Sequence, residues 1–392
     1  MDKRLSVRLF GQEIGLLEQD ISDRIKFTYN DDNNIPISYR LPVSKKSFTD
    51  EDCRPYFHGL LSEADSVRKY LGKIFHINPN DDFALLQAIG RDCAGAISFH
   101  NPEEPVKPDK SAQLEYTLLS DNELRKKKNI EELRSKPFFM QADNDIRIAL
   151  GGCQYKGSVI LIDGKVCLPK NSTPTTHILK SADTVNEYVC MKVAKKLDIN
   201  VAEVEIRNIE NIRYLLIERY DREIKNNVIK RIHQETFCQA LGGNISLKRY
   251  FELFDTTVTP TVSKSMFMKT FIFSFIIGNN DASSRNYSLL YKGEQTVLAP
   301  IYDVLCTYAC KKFKRNLSMQ TIKKLITEKI FEKICNEVDY SYKNFIKDFY
   351  YIAENLHKFI EEEKDFFDKE EQKVIDIILD CVDKRADLLD YL

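Results

Sequence analysis

The apolar positions of this chain change period along its length, and the changes mark out its elements. Leu5 to Phe10 alternates apolar and polar residues, Gly11-Gln12 reads as a turn, and Glu13 to Leu17 returns, which predicts a β-hairpin. Ser62 to Ile74 carries Val67, Tyr70, Leu71 and Ile74 at helical spacing. Phe83 to Ile89 reads as a short helix, and Ala96 to Phe99 as a closing strand. Residues 1–105 are therefore expected to form an N-terminal α/β subdomain. Residues 101–112 hold three prolines and several charges, which is linker composition, and 120–136 is charged with a helical pattern. The expectation for 106–136 is a linker with a helix.

From 137 to 221 the pattern is mostly that of strands. Ser158–Ile162 and Lys165–Leu168 flank Asp163-Gly164, a two-residue hairpin turn. Thr176 to Leu179 leads to Lys180. Thr184-Val-Asn-Glu187 reads as a capping box opening a helix, with Val185, Val189, Val193 and Leu197 along its buried face. Tyr214 to Ile217 is the next predicted strand. Residues 222–392 read as mainly helical, with helices expected at 233–241, 264–277, 344–360 and 370–389. A hairpin, Tyr287–Tyr291 and Gln295–Leu298, interrupts them. Phe345, Phe349, Ile352, Leu356 and Phe359 form a core stripe. The fold class this predicts is α+β.

Composition narrows the function only slightly. The 392 residues are 43% hydrophobic and 30% charged, ordinary for a globular protein. Lys+Arg at 58 balances Asp+Glu at 59, so no net field draws the chain to nucleic acid or an anionic membrane. Met1 to Arg8 lacks a signal-peptide core, and the longest apolar stretch, Phe271 to Gly278, is too short to span a bilayer. A cytoplasmic location without membrane contact is expected. Ten cysteines without a CxxC pair point to reduced thiols.

Candidate chemistry lies in two clusters about a hundred positions apart. In the first, Lys180 stands seven residues ahead of Glu187. A lysine at a strand end and a carboxylate in the next helix are the pair with which a protein kinase holds nucleotide phosphates. Upstream, Gly151-Gly-Cys-Gln154-Tyr-Lys156 lets backbone approach phosphate oxygens, although no Walker A sequence follows. Glu218-Arg-Tyr-Asp221 falls where a hinge would lend backbone groups to an adenine, with Asp221 accepting from a ribose hydroxyl. The second cluster is Asp281-x4-Asn286 followed by Asp303. Its spacing matches a kinase catalytic loop and second metal ligand: an aspartate for the hydroxyl proton, then Asn and Asp oxygens for Mg2+.

In this order the residues resemble the HipA family, bacterial serine/threonine kinase toxins of toxin–antitoxin operons. The resemblance rests on His58-Gly-Leu-Leu61 and Ile89 to Ala96 in the first domain. In the core it rests on Gly151 to Lys156, Pro174 to Lys180, Asn186-Glu-Tyr188, Glu218 to Asp221, Gln234-Glu235, Asp281 to Asn286 and Ile301-Tyr-Asp303. It implies a two-lobed protein-kinase-like fold: a β-rich N-lobe at 137–221, a mostly helical C-lobe at 222–392, and the extra N-terminal subdomain. It implies ATP and Mg2+ as cofactors and transfer of the γ-phosphate to a Ser or Thr hydroxyl. Lys180 would bind phosphates together with Gly151, Gly152, Gln154 and Lys156, supported by Glu187. Asp281 would be the base, Asn286 and Asp303 would hold magnesium, and Glu218 and Tyr220 would lend backbone to adenine. Family members phosphorylate aminoacyl-tRNA synthetases, arrest growth and favour persistence. A helix-turn-helix antitoxin (HipB-like) neutralises them, and DNA is reached only through it.

Two departures stand out. Ala149 occupies the position where family members often autophosphorylate a serine, and Ser283 stands where they tend to carry His. Two other readings follow: a pseudokinase acting as an antitoxin-bound corepressor scaffold, and a small-molecule phosphotransferase sharing the Asp-x4-Asn logic.

Overall fold

The computed structural model describes residues 3–106, 114–119, 156–170, 173–209, 212–225, 228–243, 245–310, 313, 316–318, 321–322 and 328–386. The fold is α+β. The chain divides into two compact units: Met1–Ala182 with Arg207–Ile245 and Ser288–Glu294, and Asp183–Ile206 with Ser246–Tyr287 and Gln295–Leu392.

Two larger sheets lie mainly in the first unit. One is formed by β1 (Lys3–Leu9), β2 (Gln12–Gln19), β3 (Ile25–Tyr29), β4 (Ser47–Phe48) and β5 (Ile97–His100), in the order β4-β3-β2-β1-β5. The expected β1–β2 hairpin is present, with Leu5 opposite Leu17. Its turn residues Phe10 and Gly11 both have positive φ, matching the right-handed twist of the paired strands. Helices Asp50–His58, Asp65–Phe75 and Asp82–Ile89 share its core, in which Val7, Leu17, Phe27, Phe57, Leu71, Phe83 and Phe99 are buried. The second helix starts later than its apolar spacing predicts. The Ser62 carbonyl accepts from Arg68 Nη1 (3.2 Å), and Ala64 is still extended.

The second sheet comprises β6 (Tyr116–Leu118), β7 (Gly157–Ile162), β8 (Lys165–Pro169), β9 (His177–Lys180), β10 (Val204–Ile209) and β11 (Ile212–Glu218), in the order β10-β11-β9-β7-β8-β6. Asp163 and Gly164, at the expected β7–β8 turn, have φ of 47° and 73°. Strand β6 corrects the linker expectation for 106–136. Its three side chains are exposed, so it is specified by backbone pairing with β8 rather than by a hydrophobic pattern. The charged helix expected at 120–136 lies outside the described residues.

Two further corrections follow in this unit. Arg222–Lys225 and Val228–Arg231 pair as a hairpin in a stretch expected to be mainly helical. The helix expected at 233–241 is instead a strand, His233–Thr236, followed by a single helical turn, Phe237–Leu241. The strand pairs with Ser288–Lys292, turning His233 and Glu235 inward, and Thr236 Oγ1 caps the turn by accepting from Gln239 N–H.

The second unit is mostly helical: Thr184–Lys196, Leu247–Phe254, Pro260–Ile277, Glu328–Glu337, Tyr342–Lys364 and Lys369–Ala386. Along Tyr342–Lys364 the buried stripe is Phe345, Phe349, Ile352, Leu356 and Ile360, with Phe359 half-buried at its edge. Pro260 begins its helix at the position where proline is best tolerated. The predicted capping box at 184–187 does not form. The cap is Asp183, in the left-handed region at φ 53°, and its Oδ2 accepts from Cys310 Sγ at 3.3 Å instead of from the helix N–H groups. Among the described residues no helix is long and apolar enough to cross a membrane.

Candidate active site

The Asp281 loop is set by the way its preceding helix ends. Pro260–Ile277 buries Phe267, Met268, Ile272, Phe273, Ile276 and Ile277, which fixes its axis. Gly278 closes it at φ 78°, and Asn279 N–H donates back to the Ser274 carbonyl (2.9 Å), a Schellman closure. A Cβ on Gly278 would lie 2.6 Å from Cys381 Sγ, so both space and backbone conformation require glycine. The chain then enters Asn279-Asn-Asp281, where Asn279 Oδ1 accepts from Asp281 N–H (3.0 Å). Asp281 is exposed.

The loop closes on itself five residues later. Asn286 N–H donates to the Ser283 carbonyl (2.9 Å), and Asn286 Nδ2 donates to the Asp281 carbonyl (3.2 Å). Its Nδ2 being so engaged, the atom Asn286 offers a cation is Oδ1. Ser283 is accommodated by this closure, because its backbone carbonyl makes the bond.

The residues leading into Asp303 are fastened to two other segments. Ile301 N–H donates to the Asn200 carbonyl (2.8 Å), and the Ile301 carbonyl accepts from Ala202 N–H (2.9 Å). Tyr302 hydroxyl donates to the Arg285 carbonyl (2.7 Å), joining the residue before Asp303 to the residue before Asn286. Asp303 itself adopts φ 59°, an uncommon conformation for a residue with a side chain. Strain of this kind persists where surrounding bonds over-determine it and is frequent at functional sites. The second unit thus brings Asp281, Asn286 and Asp303 into one hydrogen-bonded assembly of loops. Carboxylate and amide oxygens are the hard donors that Mg2+ takes.

The remaining expected residues fall elsewhere. Lys180 ends β9, buried, opposite Leu215. Glu187 is buried in the first turn of Thr184–Lys196 and belongs to the other compact unit. Glu218 ends β11 and is exposed; Tyr220 hydroxyl donates to Gln234 Oε1 (2.7 Å). Lys156 immediately precedes β7. Gly151, Gly152, Gln154 and Ala149 lie outside the described residues.

Asp221 is a correction. It was expected to face a ribose, but it is 2% exposed, accepting from Arg219 Nη2 (2.8 Å), Arg219 Nε (3.0 Å) and Gly95 N–H (2.7 Å). Arg222 pairs with it at 2.9 Å. Burial alone would raise its pKa, but the two guanidiniums hold it below the ordinary value. Asp92 completes the cluster through Arg222 (2.8 Å), Arg231 (3.2 Å) and the Thr175 hydroxyl (2.8 Å). This buried ionic group braces the Glu218–Asp221 turn.

Sequence reasoning gave no role to Tyr302, whose bond to Arg285 spans 17 residues. The only signal was its place beside Asp303.

Comparison with known proteins bears on this assembly. The profile described as HipA-like C-terminal domain matches residues 148–380, and the one described as HipA N-terminal domain matches 5–100. The chain belongs to the HipA family. Among the relatives it matches, a Sinorhizobium fredii protein provisionally named kinase Y4mE is 33% identical over 345 residues, 82% of this chain and 81% of that one. The serine/threonine-protein kinase toxin HipA of Shewanella oneidensis is 26% identical over 320 residues, 73% of this chain and 70% of that one. A solved structure of Shewanella oneidensis HipA, in complex with HipB and operator DNA, superposes with a TM-score of 0.83 at 22% identity and covers 99% of each chain. The fold is therefore the kinase-like fold of HipA.

Proposed function

We propose that this HipA-family chain is an ATP- and Mg2+-dependent serine/threonine protein kinase, the toxin of a toxin–antitoxin pair. The observation that carries the reading is the tie between loops: Asn286 to the Asp281 carbonyl, and Tyr302 to the Arg285 carbonyl, group the three residues that phosphoryl transfer needs. Asp281 orients the acceptor hydroxyl and takes its proton. Asn286 Oδ1 and the Asp303 carboxylate hold the cation. Bound Mg·ATP supplies the phosphoryl group and neutralises charge on its oxygens. Lys180 binds the phosphates, supported by Glu187, with Gly151, Gly152, Gln154 and Lys156 as a cradle. Glu218 and Tyr220 lend backbone to the adenine. Ala149 removes the hydroxyl at the family's autophosphorylation position, so this chain does not inactivate itself there.

The protein substrate belongs to translation, an aminoacyl-tRNA synthetase being the leading class, and its modification arrests growth in the cytoplasm and favours persistence. The Shewanella relative is solved with HipB on operator DNA. This chain likewise takes a helix-turn-helix antitoxin and reaches DNA through it. Incubating the purified chain with γ-labelled ATP and a cell lysate, with and without a chelator, tests the activity. A labelled protein band that vanishes with the chelator is expected. Label only in small molecules overturns the protein-kinase reading in favour of a small-molecule phosphotransferase. Nucleotide binding with no label anywhere overturns it in favour of a scaffold.

A further inference from the structure

Two buried polar side chains that the reaction does not use fasten the backbone on which Asp281 and Asp303 sit. Asn186, 1% exposed in the first turn of Thr184–Lys196, grips one residue from both ends. Its Nδ2 donates to the Cys306 carbonyl (2.9 Å), and its Oδ1 accepts from Cys306 N–H (2.9 Å). Thr307 is fully buried. Its N–H donates to the Gly278 carbonyl (3.1 Å), and its Oγ1 lies 2.8 Å from that carbonyl and 2.6 Å from Asn316 Oδ1, two acceptors for one proton. Asn280 Nδ2 in turn donates to Thr307 Oγ1 (2.9 Å). The Cys306-Thr307 segment, just after Asp303, is thereby clamped on one side to a helix and on the other to the residues leading into Asp281. All these groups belong to one compact unit.

A buried amide that satisfies both the N–H and the C=O of one residue leaves that residue little freedom to shift. Partners that orient a metal ligand without touching the metal commonly change its affinity. We propose that Asn186 and Thr307 are positioning residues that set Asp303 relative to the Asp281 loop for a divalent cation. The proposal rests on the reading of Asp303 as a metal ligand.

The test is Mn2+ binding by the full chain in the presence of a non-hydrolysable ATP analogue, alongside the Mg2+ concentration for half-maximal transfer. Asn186→Ala and Thr307→Val are each expected to weaken cation binding by about ten- to a hundredfold. Thr257→Val is the matched control. It loses buried bonds to the Phe254 carbonyl (2.7 Å) and Ser263 (2.9 Å) in the same unit and is expected to leave the cation affinity unchanged. If Asn186→Ala does not fold, Thr307→Val carries the test. Unchanged affinity in a folded Asn186→Ala or Thr307→Val, or equal weakening in the control, overturns this proposal alone. A wild-type chain that binds no cation with the nucleotide analogue overturns the kinase reading and this proposal with it.

Discussion

At Glu235 the carboxyl is fully enclosed and accepts from Ser38 Oγ (2.6 Å), Tyr39 N–H (2.7 Å) and the Tyr291 hydroxyl. Burial pushes its pKa from the ordinary 4.5 up to about 7. Between those values the unfolded chain releases a proton that the folded chain keeps, so stability falls as pH rises through this window and levels off above it. The full effect is about 3 kcal/mol at the usual conversion of pKa to free energy. Glu235→Gln retains a neutral group of the same shape and is expected to remove this effect, so that its stability relative to wild type, read by denaturant unfolding at pH 5, 6 and 7.5, rises with pH. A variant with the wild-type slope would show that the pH dependence arises elsewhere. His233, two residues away, acts in the opposite sense. Burial lowers its pKa from 6.5 to about 4, so stability falls as pH drops through that range. One short strand therefore carries two opposing effects whose pH windows overlap between about 4.5 and 6.5.

Elements show which parts of the fold were legible in the chain. The Asp163-Gly164 hairpin is local turn chemistry, and the structure reproduces it. The apolar helix before Asp281 is equally legible, because it is buried on nearly every side. His233–Thr236 was not, since a four-residue strand is decided by a partner more than fifty positions away, at Ser288–Lys292. The edge strand Tyr116–Leu118 has no buried face to betray it. At the site, the Asp281, Asn286 and Asp303 spacings were readable, whereas the Asn186 clamp spans 120 residues and appears only in three dimensions. Gly278 is the element-scale junction, with positive φ and no room for a methyl group. Gly278→Ala is expected to cost more than about 1 kcal/mol of stability and to lower transfer by displacing the Asp281 loop. Thermal unfolding and a transfer assay on the same preparation check both, and an unchanged melting temperature would contradict the cap assignment.

For the molecule as a whole, one buried ionic cluster links segments from both family-matched regions. Asp92, from the N-terminal match, holds Arg219, Arg222 and Arg231 of the C-terminal one, and the neighbouring arginines keep its pKa well below the ordinary carboxylate value despite burial. Asp92→Ala leaves buried guanidiniums uncompensated and is expected to destabilise the chain by about 3–5 kcal/mol in denaturant unfolding. A loss under about 1 kcal/mol would mean that the cluster is dispensable. Such bracing concerns the fold; the functional claim concerns three oxygen-bearing side chains. The most direct measurement is γ-phosphate transfer by purified Asp281→Asn beside wild type at saturating Mg·ATP, with circular dichroism to confirm folding. The account predicts a folded variant whose rate falls by about 10²–10⁴-fold. Wild-type rates from a folded Asp281→Asn would contradict it.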